Sequence, residues 1–253
     1  MGDPGLDVEI ITTGAWQPAA LVADAFIQGR VVLAGDSAHQ HTPGGGFGLN
    51  MGIGDAHNLA WKLAAVLDGW AGPGLLGTYE TERRPLAQLT TKLSAERLQA
   101  GVARSARTLG VVLGADYQAG AFVPDGSPPP ATTDPVTDYR PCARPGHRAP
   151  HLWLDPGRTI SSLDLFNTGE FTLLTAGPGA WQAAATAAVD NGISLRVQEL
   201  RAPAWPRSYQ VEPHGAVLVR PDGYVAGPMA QRTATRAASP RRGLGRHPAS
   251  SVI

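Results

Sequence analysis

One stretch of this 253-residue sequence gathers groups that could hold a ligand. Gly35-Asp36-Ser37-Ala38-His39 is followed by Pro43-Gly44-Gly45-Gly46-Phe47-Gly48-Leu49-Asn50-Met51-Gly52, and then by Asp55-Ala56-His57-Asn58-Leu59. A β-branched run at 30–34 reads as a buried strand, so the Asp36 carboxylate stands at its carboxyl end, where α/β sheets place ligands. Glycines at 44, 45, 46 and 48 let backbone approach a ligand closely. The helix that starts near Leu49 offers free N–H groups and a positive dipole end to an electron-rich or anionic group. A ligand-free tight turn into a helix could have the same composition. The glycines fit neither G-x-G-x-x-G nor G-x-x-x-x-G-K-[ST], so neither nucleotide fingerprint applies. His39 and His41 could pair on a metal, but the sequence places no third ligand beside them. His57 is expected to pack or cap.

Several elements must position that loop. Residues 8–12 and 30–34 read as strands. Leu49, Ile53, Ala56, Leu59, Ala60, Leu63 and Val66-Leu67 recur at helical steps on one face, and Gly69 with Gly72-Pro73-Gly74 ends that helix. A second helix over 75–84 stops or bends at Pro85, and a third runs over 86–104. Glu80 and Arg84 sit four apart in the favourable order for a surface pair. Proline is dense from Pro124 to Pro145, which reads as an irregular linker over 119–145. Beyond it, a strand at 171–175, a helix at 181–189 and a strand at 193–200 precede a hairpin. Its turn is Pro221-Asp222-Gly223 between runs 215–220 and 224–226. Residues 230–253 hold no acid or aromatic and read as disordered.

Composition narrows the partners. Lysine plus arginine equals aspartate plus glutamate at 21 each, which gives no argument for nucleic acid or an anionic membrane. No apolar stretch approaches the roughly 20 residues that span a bilayer. The one cysteine, Cys142, excludes an internal disulfide and a cysteine-rich metal site, in keeping with a cytoplasmic setting.

The string from Gly29 to Leu59 resembles the second flavin-binding motif of the FAD-dependent aromatic-ring hydroxylases, nearest to the polyketide-tailoring branch. The resemblance implies that Gly35 and Asp36 meet the ribityl chain of FAD. Pro43 would lie against the flavin ring, in the segment that touches its substrate side. Gly46 and Gly48-Leu49-Asn50-Met51 would open a helix facing the pyrimidine end of the isoalloxazine. A reduced flavin carries negative charge there, which a helix N-terminus stabilises. Asp55 to Leu63 and Tyr79 to Pro85 also follow the family, and Trp61, Lys62, Glu82 and Arg83 are expected as packing residues and helix-surface pairs.

Arg144-Pro145-Gly146-His147-Arg148-Ala149-Pro150, Leu163-Asp164-Leu165-Phe166 and Arg220-Pro221-Asp222-Gly223-Tyr224 resemble the thioredoxin-like C-terminal domain of the same branch. The implied fold class is α/β. A partial FAD-binding hydroxylase region (1–118) precedes the linker (119–145), a thioredoxin-like domain (146–229) and a basic tail (230–253). No C-x-x-C is present, so a redox role for that domain is not expected. By resemblance the function is that of an FAD-binding aromatic-ring monooxygenase of polyketide or phenol type. It would take an aromatic small-molecule substrate, NADPH as hydride donor, and an adenosine-binding half from outside these 253 residues. Two other readings stay open: a non-enzymatic thioredoxin-like module that binds a partner or dimerises, and a small-ligand binder that reuses the glycine loop.

Overall fold

A computed structural model describes residues 5, 7, 9–15, 17–101, 108–166, 169–177, 181–190, 192–212 and 215–229. Four two-residue strands precede the loop: β1 (Leu21–Val22), β2 (Ile27–Gln28), β3 (Val31–Val32) and β4 (His39–Gln40). β1 pairs antiparallel with β4, and β2 with β3, so the segment 21–40 is two small ladders rather than a sheet. The buried strand expected at 30–34 is therefore corrected to two residues, of which Val31 is exposed, since its only ladder partner among the described residues is β2. Residues 9–12 of the other expected strand are exposed and form no ladder with a described residue, while Val8 lies outside the described residues.

Two long helices follow. α1 (Phe47–Leu67) ends where Gly69, at φ 81°, turns the chain away. α2 (Gly74–Gln99) runs unbroken through Pro85, which corrects the expected stop there. The cost of a proline inside a helix, about 3 kcal/mol, is offset by burial on both sides. Tyr79, Glu82 and Arg83 precede Pro85, and Ala87, Thr90, Thr91 and Ser94 follow it, all buried. Residues 102–107 of the expected third helix lie outside the described residues. Glu80 and Arg84 do not pair with each other. Glu80 Oε2 accepts from the N–H groups of Phe26 and Ile27 at 2.9 and 3.0 Å, and Arg84 Nε donates to the Ala23 carbonyl at 3.1 Å, so both hold the strand segment down. The core here joins Phe26, Ala38, Phe47, Met51, Tyr79 and Ala87 to Val111 of the short α3 (Leu109–Leu113).

The facing of α1 departs from the expectation. Of its stripe, Leu49, Ile53, Ala56, Ala60 and Leu67 are exposed, while Leu59, Leu63 and Val66 are half-buried and Leu59 packs against the core. The buried face carries Phe47, Met51, Asp55, Asn58, Trp61, Lys62 and Ala65. Buried polar groups need partners, and this face finds them on α2 and in the C-terminal region.

Residues 119–145 contain no named helix or strand, yet Cys142 and Ala143 are buried. The C-terminal sheet has strand order β6-β5-β7-β8, with β5 (Phe171–Thr175) parallel to β6 (Leu195–Glu199). The crossover between them carries α4 (Gln182–Asp190). β7 (Ala216–Val219) runs antiparallel to β5 and to β8 (Val225–Met229), the thioredoxin-like arrangement. A short α5 (Trp205–Tyr209), unmarked by periodicity, buries Trp205 and Tyr209 in a core with Phe166, Leu174, Val217 and Val225. The tail beyond Met229 lies outside the described residues.

Candidate functional site

The turn Gly35–Ser37 is one 3-10 turn whose entry requires φ 60° at Gly35, a conformation natural only to glycine. Ser37 Oγ donates to the Ala34 carbonyl at 2.8 Å and closes the turn. This leaves the Asp36 carboxylate exposed, with no hydrogen bond or ion pair to a described residue. Pro43 is exposed as well. Gly44 is buried against α2: a Cβ there would sit 2.4 Å from the Ser94 carbonyl oxygen. Gly45 and Gly46, at φ 105° and 69°, then swing the chain into α1.

Gly46 is the N-cap of α1, and no side chain caps that end or puts an acid in its first turn. The N–H groups of the first turn are thus unspent, the condition for receiving an anionic or electron-rich group. Asn50 Nδ2 donates to the Gly46 carbonyl at 2.9 Å and holds the entry in place. Gly48 is half-buried and Leu49 and Asn50 are exposed, while Met51 turns its side chain into the core. Of the eight residues singled out from the sequence, Asp36, Pro43, Leu49 and Asn50 are exposed, Gly35, Gly46 and Gly48 are half-buried, and Met51 is buried. Beside Gly46 and Asn50 opens a cavity of about 500 Å³, bounded across the gap by Arg148 and Tyr224.

Beneath the loop lies a cluster that sequence reasoning did not assign. Asp55 is fully buried on α1. Its Oδ2 accepts from the Gly35 N–H at 3.0 Å and meets His39 Nε2 at 2.5 Å, and its Oδ1 accepts from Arg83 Nε at 2.8 Å. Burial pushes the Asp55 carboxyl up, but His39, Arg83 and the Gly35 N–H together hold it below the usual aspartate range. His41 meets Thr90 Oγ1 at 2.9 Å and stacks edge-on against His39. Burial and the neighbouring His39 pull His41 down to about 4, so it is neutral at pH 7. His57, expected from sequence to pack or cap, is instead exposed on the rim of the cavity.

A second cluster joins the two halves of the molecule and corrects the surface-pair reading of Lys62, Glu82 and Arg83. Arg220, from the β7–β8 turn, donates to Glu82 Oε1 and Oε2 at 2.7 and 2.9 Å and from Nε to Asp222 Oδ1 at 2.9 Å. Lys62 Nζ donates to Glu82 Oε2 at 2.8 Å, and both side chains are fully buried. Burial raises Glu82, but Arg220 and Lys62 overcome it and bring the carboxyl to about 2. Burial, joined by Arg220, lowers Lys62 to about 8 against the attraction of Glu82. The Arg220 guanidinium lies over the Trp61, Tyr117 and Tyr224 rings at 5.3, 5.6 and 5.6 Å, and Tyr117 stacks on Tyr224 at 4.3 Å. Gly120 is required here, since a Cβ would fall 2.2 Å from Glu82 Oε1. No local pattern announces a pair 138 residues apart in sequence.

Comparison with known proteins agrees with this layout. The family described as FAD binding domain matches residues 1–94, and the family described as aromatic-ring hydroxylase, C-terminal, matches residues 142–246. Tetracenomycin A2 monooxygenase-dioxygenase of Streptomyces glaucescens is 40% identical over 248 residues, covering 89% of this chain and 42% of that protein. Aklavinone 12-hydroxylase RdmE of Streptomyces purpurascens is 38% identical over 240 residues, covering 88% and 44%. The crystal structure of the flavin-dependent monooxygenase PieE with FAD and substrate superposes with a TM-score of 0.74 at 36% identity, over 84% of this chain and 47% of that one. The chain spans about half the length of the curated relatives it matches. It belongs to the FAD-dependent aromatic-ring hydroxylase family, matched in its FAD-binding and C-terminal regions alike.

Proposed function

We propose that this chain supplies the ribityl- and isoalloxazine-facing part of an FAD site in a monooxygenase acting on a polyketide or phenolic ring. The carrying observation is the unspent edge formed by Asp36, Pro43 and the uncapped start of α1. When bound, FAD supplies the redox chemistry that hydroxylates the ring, with NADPH as the proposed hydride donor. In this reading the exposed Asp36 carboxylate accepts hydrogen bonds from ribityl hydroxyls. Gly35, with φ 60°, keeps that carboxylate turned outward. The glycines at 44–46 leave no side-chain bulk between Pro43 and the helix, so a planar ring can approach the backbone. The free N–H groups of Phe47, Gly48 and Leu49 then face its electron-rich edge.

An adenosine-binding segment from outside these residues completes the proposed site. The outer face of α1, with Leu49, Ile53 and Leu67 exposed by 78, 58 and 81%, offers it an apolar seat. No described helix is long and apolar enough to cross a membrane, and the proposed setting is the cytoplasm. The proposed division of the chain puts the flavin region at 1–118, a linker at 119–145 and the C-terminal domain at 146–229.

Titrating FAD against the purified chain, followed by flavin fluorescence quenching, tests the reading. The titration is run alone and with an adenosine-binding segment from a relative. Quenching that Asp36→Ala removes is the expected outcome. Absence of quenching in both arrangements, at high protein concentration, leaves the thioredoxin-like module that binds a partner or dimerises as the better account.

A further inference from the structure

Besides meeting His39, the Asp55 carboxylate has polar contacts in two directions, one to the exposed Gly35–Asp36 turn and one into the interior. On one side its carboxylate receives the N–H of Gly35, the residue whose positive φ aims Asp36 outward. On the other it receives Arg83 Nε. Arg83 is itself 3% exposed, and its remaining nitrogens are spent: Nη2 on the Met51 carbonyl at 3.1 Å and Nη1 on the Tyr117 hydroxyl at 3.2 Å. The Tyr117 ring belongs to the Arg220 cage and stacks on Tyr224 of the C-terminal domain. A second strand of contacts runs parallel to it, from Asn58 Nδ2 of α1 to Asp222 Oδ2 at 3.2 Å.

The backbones leave room for this arrangement and little else. A Cβ on Gly54 would strike Arg83 Nη2 at 2.8 Å, and one on Gly52 would come within 3.3 Å of the Gly35 Cα. The first turns of α1 are thus pressed against both the guanidinium and the flavin turn. A buried carboxylate with three donors has one low-energy placement, because moving it would strand an N–H or a charge away from water.

We propose that Asp55 is the positioning residue of the Gly35–Asp36 turn, and that the C-terminal domain sets its alignment through Tyr117 and Arg83. The domain would act on the turn through this buried path, as a brace whose last polar link is the Tyr117 hydroxyl. The proposal rests on the flavin reading of that turn for its functional meaning, though its geometry does not require a flavin.

Amide exchange of the full chain, read by NMR without flavin, tests it. Tyr117→Phe keeps the ring in its cage and deletes only the hydroxyl, which receives Arg83 Nη1 at 3.2 Å and Asn58 Nδ2 at 3.5 Å. The Gly35 amide is expected to exchange about tenfold faster, the loss of roughly one hydrogen bond, while Leu173 in β5 and Val217 in β7 stay unchanged. Asp55→Asn is expected to raise Gly35 exchange further with the same sheet amides unmoved, and where that variant does not fold Tyr117→Phe decides alone. Gly35 exchange that stays at the wild-type rate, or that rises by the same factor as the sheet, overturns the proposal, since a merely stabilising role would move all three together. A Gly35 response in a chain that binds no FAD upholds the positioning and removes the flavin reading alone.

Discussion

In the glycine loop Asp36 and Pro43 are exposed, no side chain caps the start of α1, and the Asp36 carboxylate has no hydrogen-bond or ion-pair partner among the described residues. Around Arg220, Glu82, Lys62, Asn58 and Asp222 are at most 5% exposed and bind one another. The two regions share α1, which contributes its uncapped first turn to one and Asn58 and Lys62 to the other. The contrast separates two uses of the same chemistry. Groups that satisfy each other in a dry interior fix how two parts of a chain sit together, whereas groups left unspent at a rigid edge are free to recognise something else.

The contrast is broken most severely by Glu82→Gln. It leaves Arg220 and Lys62 buried with too little negative charge, and a loss of about 3–5 kcal/mol is expected in chemical denaturation. Gly44→Ala follows. The new methyl would meet the Ser94 carbonyl, which belongs to helix backbone and cannot step aside, so about 1–3 kcal/mol of stability and a displaced Pro43 are expected. Thermal denaturation with FAD titration reads both effects.

A smaller effect concerns His147. Burial lowers its affinity for a proton, but Asp116 and Cys142 more than restore it and raise the ring to about 9. A folded value above the unfolded 6.5 means that this contribution is complete below pH 6.5 and is lost as pH rises through 9. His147→Gln should flatten the stability profile across that window, while leaving the slope below it unchanged. The smallest effect on stability is expected at Asp36. Asp36→Ala should stay within about 0.5 kcal/mol of the parent in denaturation, yet weaken FAD at least about tenfold. That pairing of a silent fold with a lost ligand would sharpen the contrast between the two regions.

Reading by residue type worked best where the deciding physics is local. The span of α1 followed from apolar spacing and from Gly69, and the β7–β8 hairpin from Pro221-Asp222-Gly223, because φ preference and periodicity act over a few residues. The strand Phe171–Thr175 was legible for the same reason. Pro85 misled, since the cost of an interior proline is local but the burial that offsets it comes from across the fold. The facing of α1 misled more. Most of its apolar stripe is exposed while Asp55, Asn58 and Lys62 are buried, a facing that depends on partners as remote as Arg220 and Asp222.

By itself the sequence determined the loop: a carboxylate ahead of it at Asp36, glycines that open its backbone, and a helix that begins just after it. Those are properties of φ, side-chain size and hydrogen-bond inventory within about twenty residues. Only the tertiary structure decided that Asp55, rather than any residue of the loop, receives the Gly35 N–H, and that Glu82 and Arg83 are interior links instead of surface charges. A carboxylate or guanidinium reads the same in sequence whether it faces water or a buried counter-charge, and the difference exists only once distant segments have been brought together.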